Sequence, residues 1–139
     1  MKRILLDINV VLDVLLDRKP HAGASIKVWS AVETGKVAGL LAAHDITTIF
    51  YLVGRERGVG AARRATAAIV QVFGVAAVDG DAVRRAIQLG WPDFEDAVAA
   101  VAADAAGCDG IITRDRRRFP ESPVRVYTPE AAAAILSKP

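Results

Sequence analysis

Two short apolar runs in this chain end on acidic residues. Ile4-Leu5-Leu6 stops at Asp7, and Gly110-Ile111-Ile112 runs into Thr113-Arg114-Asp115. Runs of this length and composition read as buried strands of a parallel sheet. Open α/β sheets collect ligands at the carboxyl ends of their strands. Asp7 and Asp115 are therefore expected at one rim, although they come from opposite ends of the sequence. Carboxylates brought together raise one another's pKa unless a cation neutralises them, so the chemistry these residues suit is a divalent metal site. A third acidic group, Asp93-Phe94-Glu95-Asp96, opens a helical stretch. Asp93 and Asp96 have the spacing of a capping box, with Asp in place of the usual Glu or Gln, and acids suit a helix N-terminus through its dipole. Residues three apart also share a helix face, so Asp96 can project toward the same rim. Glu95 is expected to point elsewhere, into solvent.

Each of these residues also has a plainer role. Asp7 stands where a helix N-cap would, but Asn9 can cap equally well, which leaves Asp7 free to act as a ligand. Asp is common in a turn after a strand, which would account for Asp115; the neighbouring Thr113 hydroxyl can instead orient a metal-bound water. The block Arg114–Arg118 reads as a solvated loop or, beside a metal site, as a set of phosphate contacts. His21 and His44 lack ligand-like spacing and are expected at the surface or in hydrogen bonds. Cys108 is expected to pack, not to react. Trp29 and Trp91 read as packing aromatics, Asp13 and Asp17 as residues facing water, and Asp104 as either a lining residue or an exposed one.

The elements that must position these groups alternate. Strands are expected over 3–7, 37–41, 75–78, 110–113 and 124–127. Helices are expected over 10–16, 22–34, 45–56, 60–72, 81–89 and 94–106, with a last helix starting at Thr128-Pro129-Glu130 by the N-cap and N1-proline rule. Gly35, Gly58, Gly90 and Gly107 punctuate the helices. Ile26, Trp29, Ala31 and Val32 are expected inward on the second helix, and Ile49, Tyr51, Leu52 and Val53 on the third, which Asp45 would cap. Residues 116–122 read as a polar loop. The alternation implies an α/β fold, a three-layer sandwich with a central parallel sheet of four to five strands flanked by helices.

Composition bounds the rest. The 139 residues suit one domain spanning 1–139, and 53% of them are hydrophobic, which excludes extended disorder. Lys plus Arg number 18 against 16 Asp plus Glu, a net charge of +2 that does not by itself announce nucleic-acid binding. The arginines are clustered, however, at Arg55/Arg57/Arg63/Arg64 and at Arg114/Arg116/Arg117/Arg118, and a local basic patch can steer a polyanion. One cysteine permits no disulfide and no Cys-based zinc site. No apolar stretch has the length of a signal core or a membrane span, so no membrane association and a cytoplasmic location are expected.

Taken in order, Leu5-Leu6-Asp7-Ile8-Asn9-Val10, Asp93-Phe94-Glu95-Asp96-Ala97 and Ile111-Ile112-Thr113-Arg114-Asp115 with Phe119 resemble the motifs of the PIN domain family, metal-dependent ribonucleases that include many VapC-type toxins of toxin–antitoxin pairs. The resemblance spans nearly the whole chain. It implies catalytic and metal-holding roles for Asp7, Asp96 and Asp115, with Asp93 as a further metal-site residue. Asn9, Thr113 and Thr48 would support them, and Arg114, Arg116 and Arg117 would contact RNA. The implied cofactor is Mg²⁺ or Mn²⁺, and the implied partners are RNA, a small antitoxin and a second copy of the chain. The apolar stretch Ile46–Val53 is a candidate antitoxin surface if exposed and simply core if not. Two departures stand out. The family's second acid, usually a Glu, aligns with Thr48, while Asp45 lies one turn earlier. Arg118 stands before Phe119 where many relatives carry Asp. Two other readings stay open. One is a PIN-like module that binds RNA or a partner without cutting. The other is a phosphotransferase using Asp7 as nucleophile, which would want a second Asp where this chain has Asn9.

Overall fold

Side-chain alternation along the first strand decides the layering. In a computed structural model, which describes residues 1–139, β1 (Arg3–Leu6) turns Ile4 and Leu6 into one core and Leu5 into another. The chain continues through α1 (Ile8–Leu15), α2 (Ala22–Glu33), β2 (Ala38–Ala42), α3 (Ala43–Arg57), α4 (Val59–Val72), β3 (Gly74–Ala76), α5 (Gly80–Leu89) and α6 (Phe94–Ala105). It closes with β4 (Gly110–Ile112), a 3-10 turn at Arg116–Arg118, β5 (Val126–Tyr127) and α7 (Pro129–Leu136). The five strands form one sheet in the order β3-β2-β1-β4-β5, and every pairing is parallel. All carboxyl ends therefore share one rim, and β1 lies at its centre between β2 and β4.

The larger core holds Ile4 and Leu6 with residues of α1, α2, α3, α4 and α7. The opposite core packs Leu5 and Ile111 against the alanines of α6, with Phe119 and Val124 closing it. Alanine lets α6 lie close to the sheet, and the helix is buried continuously from Asp96 to Ala103. This is the three-layer sandwich expected, with five strands. Gly58, at φ +89°, separates α3 from α4, and Gly90 ends α5 in the left-handed region at φ +65°.

Several local expectations are corrected. The helix after Asp7 starts at Ile8, so Asn9 lies inside it, where its Oδ1 accepts from Arg18 at 3.4 Å. The third helix starts at Ala43, so Asp45 is not its cap but a buried residue of its first turn. Ile26 and Tyr51 point outward, at 45% and 63% exposure. Asp13 does not face water: it is wholly buried on α1 and ion-paired with Arg114 Nε at 3.0 Å. Residues 116–122 are not all loop, because Asp115 accepts from the Arg117 amide and starts a 3-10 turn. The last strand is shorter than expected, since Val124 is buried in the segment before it, where Ser122 bonds its carbonyl.

Candidate functional site

β1 delivers Asp7 to the rim. The Asp7 amide donates to the Ile112 carbonyl of β4 at 2.8 Å, which extends the ladder by one residue. Asp7 occupies the N-cap position of α1, but its side chain caps nothing. The carboxylate turns instead to β4, where the Thr113 hydroxyl donates to Asp7 Oδ2 at 3.0 Å. Asp7 is almost fully buried, and burial pushes its carboxyl above the ordinary range against the pull of Thr113 and Arg118.

Two further carboxylates join it. Asp96 enters from the first turn of α6, where burial and the charge on Asp7 push it up to about 7. Asp45 enters from the first turn of α3. Burial, Glu95, Asp7 and Asp96 all act in one direction and push it up to about 9. Glu95, expected to face solvent, is instead half-buried, and its charge is one of those that bear on Asp45. The reason lies in how the two helix starts abut: His44 Nε2 donates to the Glu95 carbonyl at 3.0 Å, which draws the first turn of α6 onto α3. From α3 the acid in the group is Asp45, and Thr48 follows it one turn later, half-buried.

Asp93 and Asp115 hold different stations. Asp93 Oδ1 caps α6 by accepting from the Asp96 amide at 3.0 Å, and its Oδ2 accepts from Arg118 Nη2 at 2.8 Å. Burial opposes these contacts, but together they hold Asp93 below the usual carboxylate range. Asp115 is tied to the rim through its backbone, its amide donating to Thr113 Oγ1 at 3.3 Å. Its carboxylate accepts from Arg117 Nε at 3.1 Å, and this bond keeps its pKa low. Of the expected trio Asp7, Asp96 and Asp115, the structure sets Asp96 within electrostatic reach of Asp7, which Thr113 bonds, while the Asp115 carboxylate is turned to Arg117.

The basic residues divide likewise. Arg114, expected among the RNA contacts, is instead engaged by buried Asp13, because a carboxylate removed from water needs a cation beside it. Arg116 and Arg117 are exposed. Arg118 turns into the acidic group, with Nη2 2.8 Å from Asp93 and 2.9 Å from Asp96. In the earlier cluster, Arg57 donates to the Leu15 and Leu16 carbonyls at the end of α1. Asp104 pairs with Arg85 at the surface, away from this group. Cys108 is half-buried, and burial pushes its thiol up to about 11, which fits packing.

The donors suit a hard divalent cation. They are carboxylate oxygens, and two buried ones, Asp45 Oδ1 and Asp96 Oδ2, lack a directed hydrogen bond. No three His, Cys, Asp or Glu side chains are yet gathered to ligate an ion together. Arg118 stands against Asp96, and Asp115 is forked onto Arg117.

Comparison with known proteins adds a family and a fold. A family model described as the PIN domain matches residues 3–117. Among solved structures, the VapC20 toxin of Mycobacterium tuberculosis, which cleaves the sarcin–ricin loop, superimposes with a TM-score of 0.69 at 17% identity over 83% of this chain and 92% of its own. A toxin–antitoxin complex from Klebsiella pneumoniae gives 0.68 at 19%, over 91% of this chain and 97% of that one. DNA-bound VapBC of Salmonella typhimurium gives 0.70 at 16%, over 93% and 99%. At such identities the likeness speaks to the fold alone. No curated protein matches the sequence.

Proposed function

The chain belongs to the PIN domain family, and from that membership and its acidic rim we propose that it is a metal-dependent endoribonuclease. The observation that carries the proposal is that Asp7, Asp45 and Asp96 lie near enough to act on one another electrostatically. They come from three distant parts of the sequence, are buried at one end of the sheet, and bear on one another's charge. Burying such a group without a cation is costly.

In this reading Asp7, Asp45 and Asp96 would hold Mg²⁺ or Mn²⁺, with Asp115 as a further carboxylate at the same strand end. The bound ion supplies an acidified water and neutralises charge on the scissile phosphate. Thr113 fixes the orientation of Asp7, a role in which outer residues govern metal affinity. Asp45, whose burial and acidic neighbours favour its protonated form, would release that proton when an ion is held there. Arg116 and Arg117, exposed beside the rim, contact the RNA backbone.

The antitoxin partners named for the structural neighbours suggest a similar role for this chain. The exposed Tyr51, with Val59 across the α3–α4 corner, offers an apolar surface for a small antitoxin. No helix of the protein is long and apolar enough to cross a membrane.

The deciding experiment compares wild type with Asp7→Asn on a panel of RNAs in Mn²⁺. Cleavage is expected to fall by more than about 100-fold, the upper end for outer-shell losses, with an unchanged circular-dichroism spectrum. Normal cleavage by the variant refutes the assignment. One observation favours the alternative of an RNA-binding module that does not cut: Arg118 already neutralises Asp96. That alternative predicts no Mn²⁺ binding at millimolar concentration.

A further inference from the structure

Three consecutive arginines meet three different fates. Arg116 is exposed, Arg117 forks onto Asp115, and Arg118 alone enters the acidic group. Its backbone is fixed. The Arg118 amide donates to the Asp115 carbonyl at 3.2 Å, and the next residue, Phe119, is buried edge-on against Trp91 with ring centroids 5.7 Å apart. Trp91 in turn lies two residues before Asp93, so one aromatic contact sets residues 93 and 118 side by side. From that pivot the guanidinium reaches Asp93 and Asp96 together, and its charge is felt at Asp7.

Asp93 and Asp96 are not equivalent in this clasp. Both Asp93 oxygens are engaged, one by the α6 amide and one by Arg118. Asp96 Oδ2 lies 2.9 Å from Arg118 Nη2 but receives no directed hydrogen bond. The guanidinium therefore neutralises Asp96 without satisfying it, while Asp93 anchors the arm. A divalent ion ligated by Asp96 Oδ2 would meet this guanidinium, which lies 2.9 Å from that oxygen.

We propose that Arg118 is a tethered cation that competes with the divalent ion for Asp96, with Asp93 as its mooring, so that it sets the metal affinity of the site. The proposal rests on the nuclease reading and deepens it. One nitrogen, Nη2, faces both carboxylates; arginine suits the role because its guanidinium is rigid and always charged, whereas lysine is a point charge on a flexible stem.

The test is a direct titration of the purified full chain with Mn²⁺, read by calorimetry and by the loss of the free-ion electron paramagnetic resonance signal. Arg118→Ala is expected to bind Mn²⁺ about 10- to 100-fold more tightly than wild type. Arg118→Lys should fall between the two, because it keeps the charge but carries it on a flexible stem that holds it less firmly against Asp96. Binding by Arg118→Ala equal to or weaker than wild type overturns the proposal. So does tighter binding by Arg118→Ala with Arg118→Lys indistinguishable from wild type, since that pattern is a through-space charge effect without a clasp. In either case RNA cleavage lost in Asp7→Asn leaves the nuclease reading standing. Failure of all three proteins to bind Mn²⁺ at millimolar concentration overturns both. Arg118 is partly exposed, so the variants are expected to fold, and a melting curve on each checks this.

Discussion

Asp45 carries an unusual burden for a single side chain. It is buried in the first turn of a helix, and the charges of three other acids, Glu95, Asp7 and Asp96, bear on it. Its carboxyl is raised from 3.8 to about 9 and that of Asp96 from 3.8 to about 7. In both cases the folded protein favours the protonated form. The stability this contributes is complete below the unfolded value and is lost as pH rises through the folded one. The loss due to Asp96 ends near 7, so between pH 7 and 9 the slope belongs to Asp45. Melting curves of the chelated protein should therefore fall steadily from pH 5 to pH 9, and Asp45→Asn should flatten the part above pH 7. An identical slope in wild type and variant would contradict the burial and contacts assigned to Asp45. At this scale the sequence disclosed Asp7 and Thr113, because each follows an apolar strand directly. It placed Asp45 as a cap and sent Glu95 to solvent. Their meeting depends on two helix starts, 51 residues apart at His44 and Glu95, touching in space. No local spacing rule encodes that contact.

The elements themselves were largely written in apolar periodicity and punctuation. The strand and helix order expected from the sequence is the order observed, with ends displaced by a residue or two. Where the pattern misled, tertiary packing intervened. Asp13 looked like a solvent residue on an amphipathic helix, yet Arg114 reaches it from the turn after β4 and makes its burial tolerable. Tyr51 and Ile26 looked like core, but the faces of α3 and α2 that carry them meet no neighbouring element closely enough to cover them. Packing against β2 gives an element-level prediction. A Cβ at Gly39 would stand 2.6 Å from Val32 Cγ2 and 2.9 Å from Phe73 Cδ1. Val32 is β-branched and buried, so it has little room to turn. Gly39→Ala should destabilise by about 1–3 kcal/mol in urea denaturation, the usual range for overpacking. Gly23→Ala, in the first turn of α2, meets nothing within 4 Å and should stabilise by up to about 1 kcal/mol. Equal effects at the two glycines would show that the contact between β2 and α2 is looser than described.

Across the molecule, charge is sorted more sharply than a net value of +2 implies. Acids gather at the carboxyl end of the central strands, and exposed Arg116 and Arg117 border them on the following turn. On the proposed nuclease reading, RNA binding should depend on ionic strength through a few contacts. Arg116→Ala should lower the slope of log affinity against log salt by about 0.7, the value for one phosphate contact on a single strand. Fluorescence anisotropy with the Asp7→Asn protein, which spares the RNA, measures this. An unchanged slope would move the RNA path away from that turn.

The central position of β1 has a temporal consequence. Asp7 is held by Thr113, 106 residues further along the polypeptide, and β1 finds one of its two sheet neighbours only when β4 is made. During synthesis the first acid of the rim leaves the ribosome well before its partner and waits for it. A nascent chain arrested anywhere before β4 would carry Asp7, Asp45 and even Asp96 without the strand whose following Thr113 orients Asp7, so the acidic rim stays unfinished until β4 has been made.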